Sequence, residues 1–237
     1  MQLLLTDTAT LESNNDLPLD VFDRFGKVAK FDNITRDELL IAAFKLFMSV
    51  NYEKASFAEL GKMLGMSKAG IFKYYKNKQE LFIAVVDKFW FSTQNPRNKF
   101  TETNGTFAEF IDEYVKGVQR TMDMLSNLIG PGSDKVVQGK FSYHAQYFHF
   151  LFQLLQYDPD AKEKLRNLVD GDYAYWRAAI QRAIATGELR EDVDVEDAVV
   201  MFRQVYMGLS FEMAFMGGLN TQRLAKHLHA VYSLLKR

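Results

Sequence analysis

Helical periodicity runs through most of this 237-residue chain, and it constrains the fold more than any other feature of the sequence. Long segments repeat apolar residues every three or four positions, and only four prolines interrupt them. We find no sustained alternation of apolar and polar residues of the kind that marks a half-buried strand. The sequence therefore predicts an all-α fold of nine or ten helices.

Helix starts are indicated by four pairs in which an oxygen-bearing side chain precedes a glutamate by three positions. Such a capping box satisfies backbone N–H groups that have no partner inside the helix. The pairs are Thr35 and Glu38, Ser56 and Glu59, Asn77 and Glu80, and Thr106 and Glu109. In the first third of the chain we predict helices at Arg36–Val50, Phe57–Leu64 and Ser67–Tyr74, and from Asn77 to about Ser92.

Glycine, proline and asparagine divide the rest of the chain into longer helices. We predict that Val195–Met216 and Thr221–Leu235 are the last two of them. The predicted breaks are Asn95–Gly105, Gly130–Asp134, Asp158 with Pro159 at the first helical position, Gly171, and Gly187–Asp194.

Composition limits the class of protein. There is no cysteine, so disulfides and thiolate chemistry are excluded. Because the chain has neither a long apolar run nor a secretory signal pattern, we expect a soluble cytoplasmic protein without a membrane partner. The formal net charge is -1, so any attraction to nucleic acid has to come from a local patch.

Such a patch follows Gly65, at the spacing of a helix-turn-helix, in which the second helix lies in the DNA major groove. Gly65 can adopt the positive φ of the turn, and Gly61 allows the two helices to approach closely. Hydroxyl and ammonium groups cluster on the second helix and just after it, and such donors bind phosphate oxygens. The candidate DNA-binding residues are Ser67, Lys68, Ala69, Gly70, Phe72, Lys73, Tyr74, Lys76 and Lys78.

The span from Thr35 to Phe89 resembles the amino-terminal domain of the tetracycline-repressor (TetR) family of bacterial regulators. The resemblance is carried by LLIAAFKLFMSVNYEKASFAELGKMLGMSKAGIFKYYKNKQELFIAVV. It implies that Ser67, Lys68, Tyr74 and Lys78 contact phosphates. It also places Ala69, Gly70 and Lys73 where base readout varies among family members.

Two further positions are interpreted by the same resemblance. Tyr75 matches a phenylalanine that packs inside the domain, so its hydroxyl needs a partner or solvent. Phe72 stands where the family usually has tyrosine, and we expect its ring to contact a sugar or a thymine methyl instead of a phosphate.

The resemblance also implies a carboxy-terminal domain with a pocket for a small molecule. On that basis the predicted lining residues are Phe110, Tyr114, Tyr147, Phe150, Trp176 and Tyr206, although aromatics at helical spacing are usually ordinary core. No cofactor or metal is expected, and the effector remains unknown.

A homodimer is expected through about residues 195–235 by the same resemblance. Along the first of the two helices, a stripe of Ala198, Met201, Val205, Gly208 and Glu212 offers small residues that let two helices meet closely. The alternative is that both helices only complete the core of the monomer.

These features predict a sequence-specific transcriptional regulator, a homodimeric repressor that a small molecule releases from a palindromic DNA operator. The alternative is an all-helical sensor or carrier that acts through protein partners. We find no constellation of catalytic residues, so an enzyme is not expected. The predicted division is an extension at 1–32, a DNA-binding domain at 33–80 and a sensing and dimerisation domain at 81–237.

Overall fold

The computed structural model describes residues 34–101, 105–129 and 143–237. The predicted extension at 1–32 and the predicted break at Gly130–Asp134 lie outside the described residues. Every element in the described part is helical, apart from an isolated backbone bridge between Leu189 and Lys236. The all-α prediction is confirmed, and none of the described helices is long and apolar enough to span a membrane.

The first group of helices contains the predicted helix-turn-helix. It consists of α1 (Arg36–Ser49), α2 (Phe57–Leu64), α3 (Lys68–Phe72) and α4 (Lys78–Val85). A π-helical segment (Val86–Phe91) and the short α5 (Ser92–Gln94) continue directly from α4. The result is one uninterrupted helical rod from Lys78 to Gln94, close to the predicted extent.

The second group begins with the four-residue α6 (Pro96–Lys99), inside the segment predicted as a loop. The longer helices follow as α7 (Phe107–Ile129), α8 (Tyr143–Tyr157), α9 (Ala161–Ala185), α10 (Val195–Ala214) and α11 (Thr221–Leu235). Two predicted details were wrong. Gly171 lies within α9 instead of breaking the chain, and Pro159 lies in a turn before that helix, which begins after Asp160.

All four predicted capping pairs are present. Thr35 Oγ1 accepts from Glu38 N at 3.2 Å while the Glu38 carboxylate accepts from Thr35 N at 2.8 Å, which completes the reciprocal box. Ser56, Asn77 and Thr106 each accept from the backbone N–H of their glutamate. Because each cap satisfies donors that would otherwise be orphaned, these short polar patterns fix where the helices begin.

Two apolar cores organise the molecule. The first joins α1 to α4 with Phe150 and Leu154 of α8, and its central rings include Phe44, Phe47 and Phe82. The second joins Phe100, the residue after α6, to α7, α9, α10 and α11 around Trp176, which is fully buried. Since α8 supplies side chains to the first core, the two groups of helices share packed surface.

Candidate DNA-binding surface and internal cavity

The turn between α2 and α3 depends on two glycines. Gly65 ends α2 in the left-handed conformation with φ 64°, which non-glycine residues rarely adopt. A Cβ on Gly61 would lie 2.6 Å from the carbonyl oxygen of Met66, so a larger residue there would force the two helices apart. Both sequence interpretations of these glycines agree with the geometry.

One side of helix α3 packs against the core, and the opposite side is exposed. Ile71 and Tyr75 are buried, and the Tyr75 hydroxyl accepts from Arg36 Nε at 3.0 Å, which supplies the partner that its burial requires. Ser67 Oγ caps the helix by accepting from Gly70 N at 3.1 Å. The helix stops at Phe72 instead of Tyr74, because Lys73 N and Tyr74 N bond three residues back in a tighter turn.

The exposed side of α3 and the turn after it form a basic surface. Lys68, Lys73 and Lys76 are exposed, and none of them forms a salt bridge with a residue that the structure describes. Ala69 is exposed between them. The nearest atom to a Cβ on Gly70 would be the flexible Met66 Cε at 3.3 Å, so packing within the chain does not require glycine there.

Three residues predicted to contact DNA also make contacts inside the protein. The Tyr74 hydroxyl donates to the carbonyl of Ile34 at 2.8 Å, which ties α3 to the residue before α1. Lys78 Nζ donates to the carbonyls of Tyr52 and Glu53 at 2.8 and 3.3 Å. Phe72 packs edge-on against Phe57 with ring centroids 4.9 Å apart, so part of its role is structural.

An internal cavity of about 150 Å³ lies between the two cores. Its walls come from the π segment, α5 to α10 and the residue Leu219 before α11. The apolar lining residues are Trp90, Val118, Met122, Leu125, Tyr147, Phe148, Leu151, Leu165, Leu168, Val169, Tyr206, Met207 and Leu219, and the polar ones are Gln94, Lys99, Thr121, Asp172, Arg203 and Ser210.

Two of the six predicted pocket residues, Tyr147 and Tyr206, line this cavity. The other four lie in the cores instead. Phe110 and Tyr114 each pack edge-on against Trp176 in the second core, and Phe150 packs edge-on against Phe44 and Phe82 in the first. These four rings fill space, as buried aromatic side chains at helical spacing usually do.

Sequence reasoning missed the charged group in the cavity wall. The Asp172 carboxylate lies 3.8 Å from Lys99 Nζ and 3.7 Å from Arg203 Nε, and all three side chains are at most 12% exposed. The available signal was position, because Arg203 lies four residues after Val199 and three before Tyr206, on the apolar side of α10. A charged side chain on the apolar side of a helix indicates a buried partner of opposite charge.

Burial affects the ionisation of two groups in or beside this wall. Burial raises the pKa of Asp172, while the nearby cations Lys99 and Arg203 oppose the rise. Burial also raises the pKa of Tyr114 well above its usual value, and Tyr206 and Asp172 add to that shift. The Tyr114 phenol is therefore neutral across the physiological range.

Two protein-family models match the chain. Residues 39–85 match the model of bacterial regulatory proteins of the TetR family. Residues 141–228 match a model described as the tetracyclin repressor-like carboxy-terminal domain. The first match contains α2, α3, α4 and the greater part of α1. The second contains the cavity-lining residues from Tyr147 to Leu219.

Individual relatives agree with these matches. The fatty acid metabolism regulator protein of Bacillus subtilis is 20% identical over 186 residues, which cover 78% of this chain and 84% of the relative. The structure of MexZ, a repressor responsible for antibiotic resistance in Pseudomonas aeruginosa, is 19% identical with a TM-score of 0.60, covering 85% of this chain and 94% of MexZ.

A DNA complex has the same fold. It contains a cysteine mutant of the TetR family regulator CifR with 26-base-pair double-strand operator DNA. The match has 18% identity and a TM-score of 0.54, and it covers 87% of this chain and the whole of the CifR chain.

Proposed function

The chain belongs to the TetR family of bacterial regulatory proteins, and from that membership we propose that this transcriptional regulator is a homodimeric repressor released from DNA by a small molecule. The observation that carries the proposal is the basic surface of α3, where three exposed lysines have no acidic partner among the described residues. Surface lysines in a structural role are normally interspersed with acids. Lysines without such partners can bind the phosphates of DNA. A helix that follows a tight turn in this way can lie in the major groove.

Individual contacts are proposed for the candidate residues. Lys68 and Lys76 bind phosphates, as does the Ser67 hydroxyl, whose proton is still available after it caps α3. Lys73 reads base edges, beside Ala69 and Gly70. Lys78 uses two of its three donors on the carbonyls of Tyr52 and Glu53 and directs the third to a phosphate. Ala69 and Gly70 allow the helix to approach base edges. The Tyr74 hydroxyl has a single proton, which it donates to the Ile34 carbonyl, so its phosphate contact requires that bond to be exchanged when DNA binds.

The proposed dimer is formed by α10 and α11. Along α10 an exposed stripe follows helical spacing through Met201, Gln204, Gly208, Phe211 and Phe215, and Phe215 is 65% exposed. Nothing lies within 4 Å of a Cβ on Gly208, so this position leaves room for a second helix. Ala198, which belonged to the predicted stripe, is buried in the monomer core and does not contribute. Packing the pair of helices against its copy would form a four-helix interface.

The proposed route from cavity to DNA uses the rod from Lys78 to Gln94. Trp90 and Gln94 line the cavity at one end of the rod, and Lys78 lies beside the DNA-binding surface at the other. The π segment, which contains Trp90, is a register change of the kind often found at functional sites. A ligand that favours a conformation with the wrong separation of the two α3 helices would reduce DNA affinity.

Helix α8 offers a second connection. Tyr147, Phe148 and Leu151 line the cavity, and at the carboxy end of the same helix Tyr157 stacks on Tyr52 with ring centroids 4.0 Å apart. The Tyr157 hydroxyl donates to Glu53 at 2.7 Å. Tyr52 and Glu53 are also the residues whose carbonyls hold Lys78, so a shift of α8 would reach the DNA-binding surface.

Other parts of the proposal follow from DNA binding. The DNA-binding domain at 33–80 and the sensing and dimerisation domain at 81–237 act as separate functional units, although the first core extends through α4 to Trp90. We place the protein in the cytoplasm, with its operator, and assign it no catalytic role. The name of the Bacillus subtilis relative, together with the apolar cavity, supports an effector from fatty acid metabolism.

The deciding experiment is selection of genomic fragments from the source organism with the purified, ligand-free protein, followed by sequencing. We expect enrichment of an approximately palindromic site whose half-sites lie about one helical turn apart or somewhat more. Gly208→Arg should give a monomer in analytical ultracentrifugation and lose the site. Gln181→Arg, which adds the same charge on the exposed side of α9, should retain both. Absence of any enriched site would favour the sensor that acts through protein partners.

A further inference from the structure

The described wall of the cavity has a net positive formal charge, and this charge indicates the class of its ligand. The described wall contains two cationic side chains, Lys99 and Arg203, and one anionic side chain, Asp172, so their formal charges sum to +1. A net charge in a buried wall is costly unless a partner neutralises it. Protonation of Asp172 would only increase the excess of positive charge.

Hydrogen bonding in the wall is also incomplete. Both ion pairs of Asp172 are longer than a hydrogen bond, at 3.7 and 3.8 Å. Arg203 Nε, Trp90 Nε1 and Ser210 Oγ are buried and have no hydrogen-bond partner among the described residues. Asp172 Oδ1 is an orphan acceptor of the same kind, so unpaired donors outnumber unpaired acceptors on this wall.

The position of the charged group depends on two close helix contacts. A Cβ on Gly117 of α7 would lie 2.0 Å from the carbonyl oxygen of Lys99, and a Cβ on Gly171 of α9 would lie 2.9 Å from Pro96 Cγ. The two glycines therefore allow α6 to lie against both helices, which places Lys99 next to Asp172. Because close packing of the helices fixes the positions of Lys99 and Asp172, these charged side chains are preorganised for a ligand.

We propose that the cavity binds an apolar carboxylate of about ten non-hydrogen atoms, with its carboxylate beside Asp172, where it accepts from Lys99 and Arg203, and its chain among the apolar residues. The size follows from the volume of about 150 Å³, since a single water needs roughly 10–15 Å³ of the same kind of space. The apolar chain of the ligand would pack against lining residues such as Leu165, Leu168 and Met207. This inference rests on the proposed effector site and adds the head group that the site selects.

A cationic ligand is the main competitor, because Asp172 and several aromatic rings could form a cation site. Two cations of the protein already occupy that environment, however. Lys99 Nζ lies 5.3 Å from the centre of the Tyr206 ring, and Arg203 lies 5.6 Å from that of Tyr173. A third cation would meet net repulsion, whereas a carboxylate would offer both groups a partner.

Calorimetric titration of the purified full chain, without DNA, tests the proposal with matched ligands. Octanoate, methyl octanoate and octylamine have similar chains and differ in the charge of the head group. We expect octanoate to bind at least about tenfold more tightly than either of the others. Equal or tighter binding of octylamine or methyl octanoate, or no binding of any carboxylate, would overturn the proposal. A parallel titration with 2-naphthoate shows whether the natural carboxylate is aliphatic or aromatic.

Variants locate the head group. Arg203→Gln should weaken octanoate binding by about tenfold and leave methyl octanoate within about twofold, while Arg203→Lys should retain part of the preference. Arg182→Gln removes an exposed arginine from α9 and should change neither affinity. An Arg203→Gln protein that binds octanoate normally would overturn the assignment. If that variant does not fold, the comparison of head groups on the unmodified chain still decides.

The two proposals fail in distinguishable ways. The regulator is tested by DNA binding of the ligand-free protein, and the carboxylate site is tested without DNA. Operator binding without a preference for octanoate would leave the regulator intact and reject the carboxylate. Tight octanoate binding without any operator would do the opposite.

Discussion

The helix-turn-helix and the internal cavity are built from contacts of very different range along the chain. The turn at Gly65 involves residues within about ten positions of it, and the segment around α1 supports it through the hydrogen bonds from Arg36 to Tyr75 and from Tyr74 to Ile34. The charged wall of the cavity joins Lys99, Asp172 and Arg203, which belong to three different helices. The first region can be interpreted from a short segment of sequence, and the second exists only after helices distant in sequence have packed.

Glycines of the two regions also differ in how closely other residues approach them. A substitution at the most crowded of them, Gly117, is expected to give the largest loss of stability. Gly117→Ala should lower the free energy of unfolding by about 2 kcal/mol or more, because the new Cβ would overlap the backbone of Lys99. Urea denaturation followed by tryptophan fluorescence measures the change.

The matched control is Gly70→Ala in α3, where the nearest atom is the flexible end of Met66. This change should leave stability unchanged or raise it by up to about 1 kcal/mol, because alanine favours the helix. Equal stability of the two variants would mean that the close approach of α6 to α7 does not constrain the cavity.

A second prediction tests whether the two regions communicate through α8. Tyr157→Ala removes the stack on Tyr52 and the hydrogen bond to Glu53. We expect the factor by which effector lowers operator affinity to fall about five- to tenfold, while effector affinity stays within about twofold. Operator titrations with and without octanoate measure the factor.

Tyr157→Phe separates the two contacts, since it retains the ring and loses only the hydrogen bond. An intermediate result would assign part of the effect to each. If effector lowered operator affinity in Tyr157→Ala as much as in the unmodified chain, α8 would not carry the effect. The rod from Lys78 to Gln94 would then be the remaining proposed connection between cavity and DNA.

The smallest expected effect concerns the dual role of Lys78. Lys68→Ala and Lys78→Ala should each reduce the dependence of log affinity on log salt by about one per subunit, or about two for the dimer. Lys78→Ala alone should also lower the free energy of unfolding by about 1 kcal/mol, because it leaves the carbonyls of Tyr52 and Glu53 without their donor. A normal salt dependence in that variant would make Lys78 purely structural.

Much of the first region could be predicted from sequence because its determinants are local. The caps at Thr35, Ser56 and Asn77, the turn at Gly65 and the burial of Ile71 all agree with the structure. Two details depended on packing: α3 ends at Phe72 instead of Tyr74, and the contact of Phe72 with Phe57 depends on how α2 crosses α3.

The cavity was predicted less completely. Tyr147 and Tyr206 line it, whereas Trp176 and Phe150 fill the cores, and these residues cannot be distinguished by composition or spacing. Gly171 is a further example. A glycine often breaks a helix in sequence analysis, but here it lies inside α9 and permits close contact with Pro96.

The sequence by itself determined the helical class, the starts of the helices and the position of the DNA-binding motif, because caps, turns and periodicity depend on neighbours within a few residues. Only the tertiary structure decided which aromatic rings border empty space, and that Asp172 lies between Lys99 and Arg203. Those properties depend on the angle and separation at which distant helices pack, and a few missing side-chain atoms at a glycine are enough to set them.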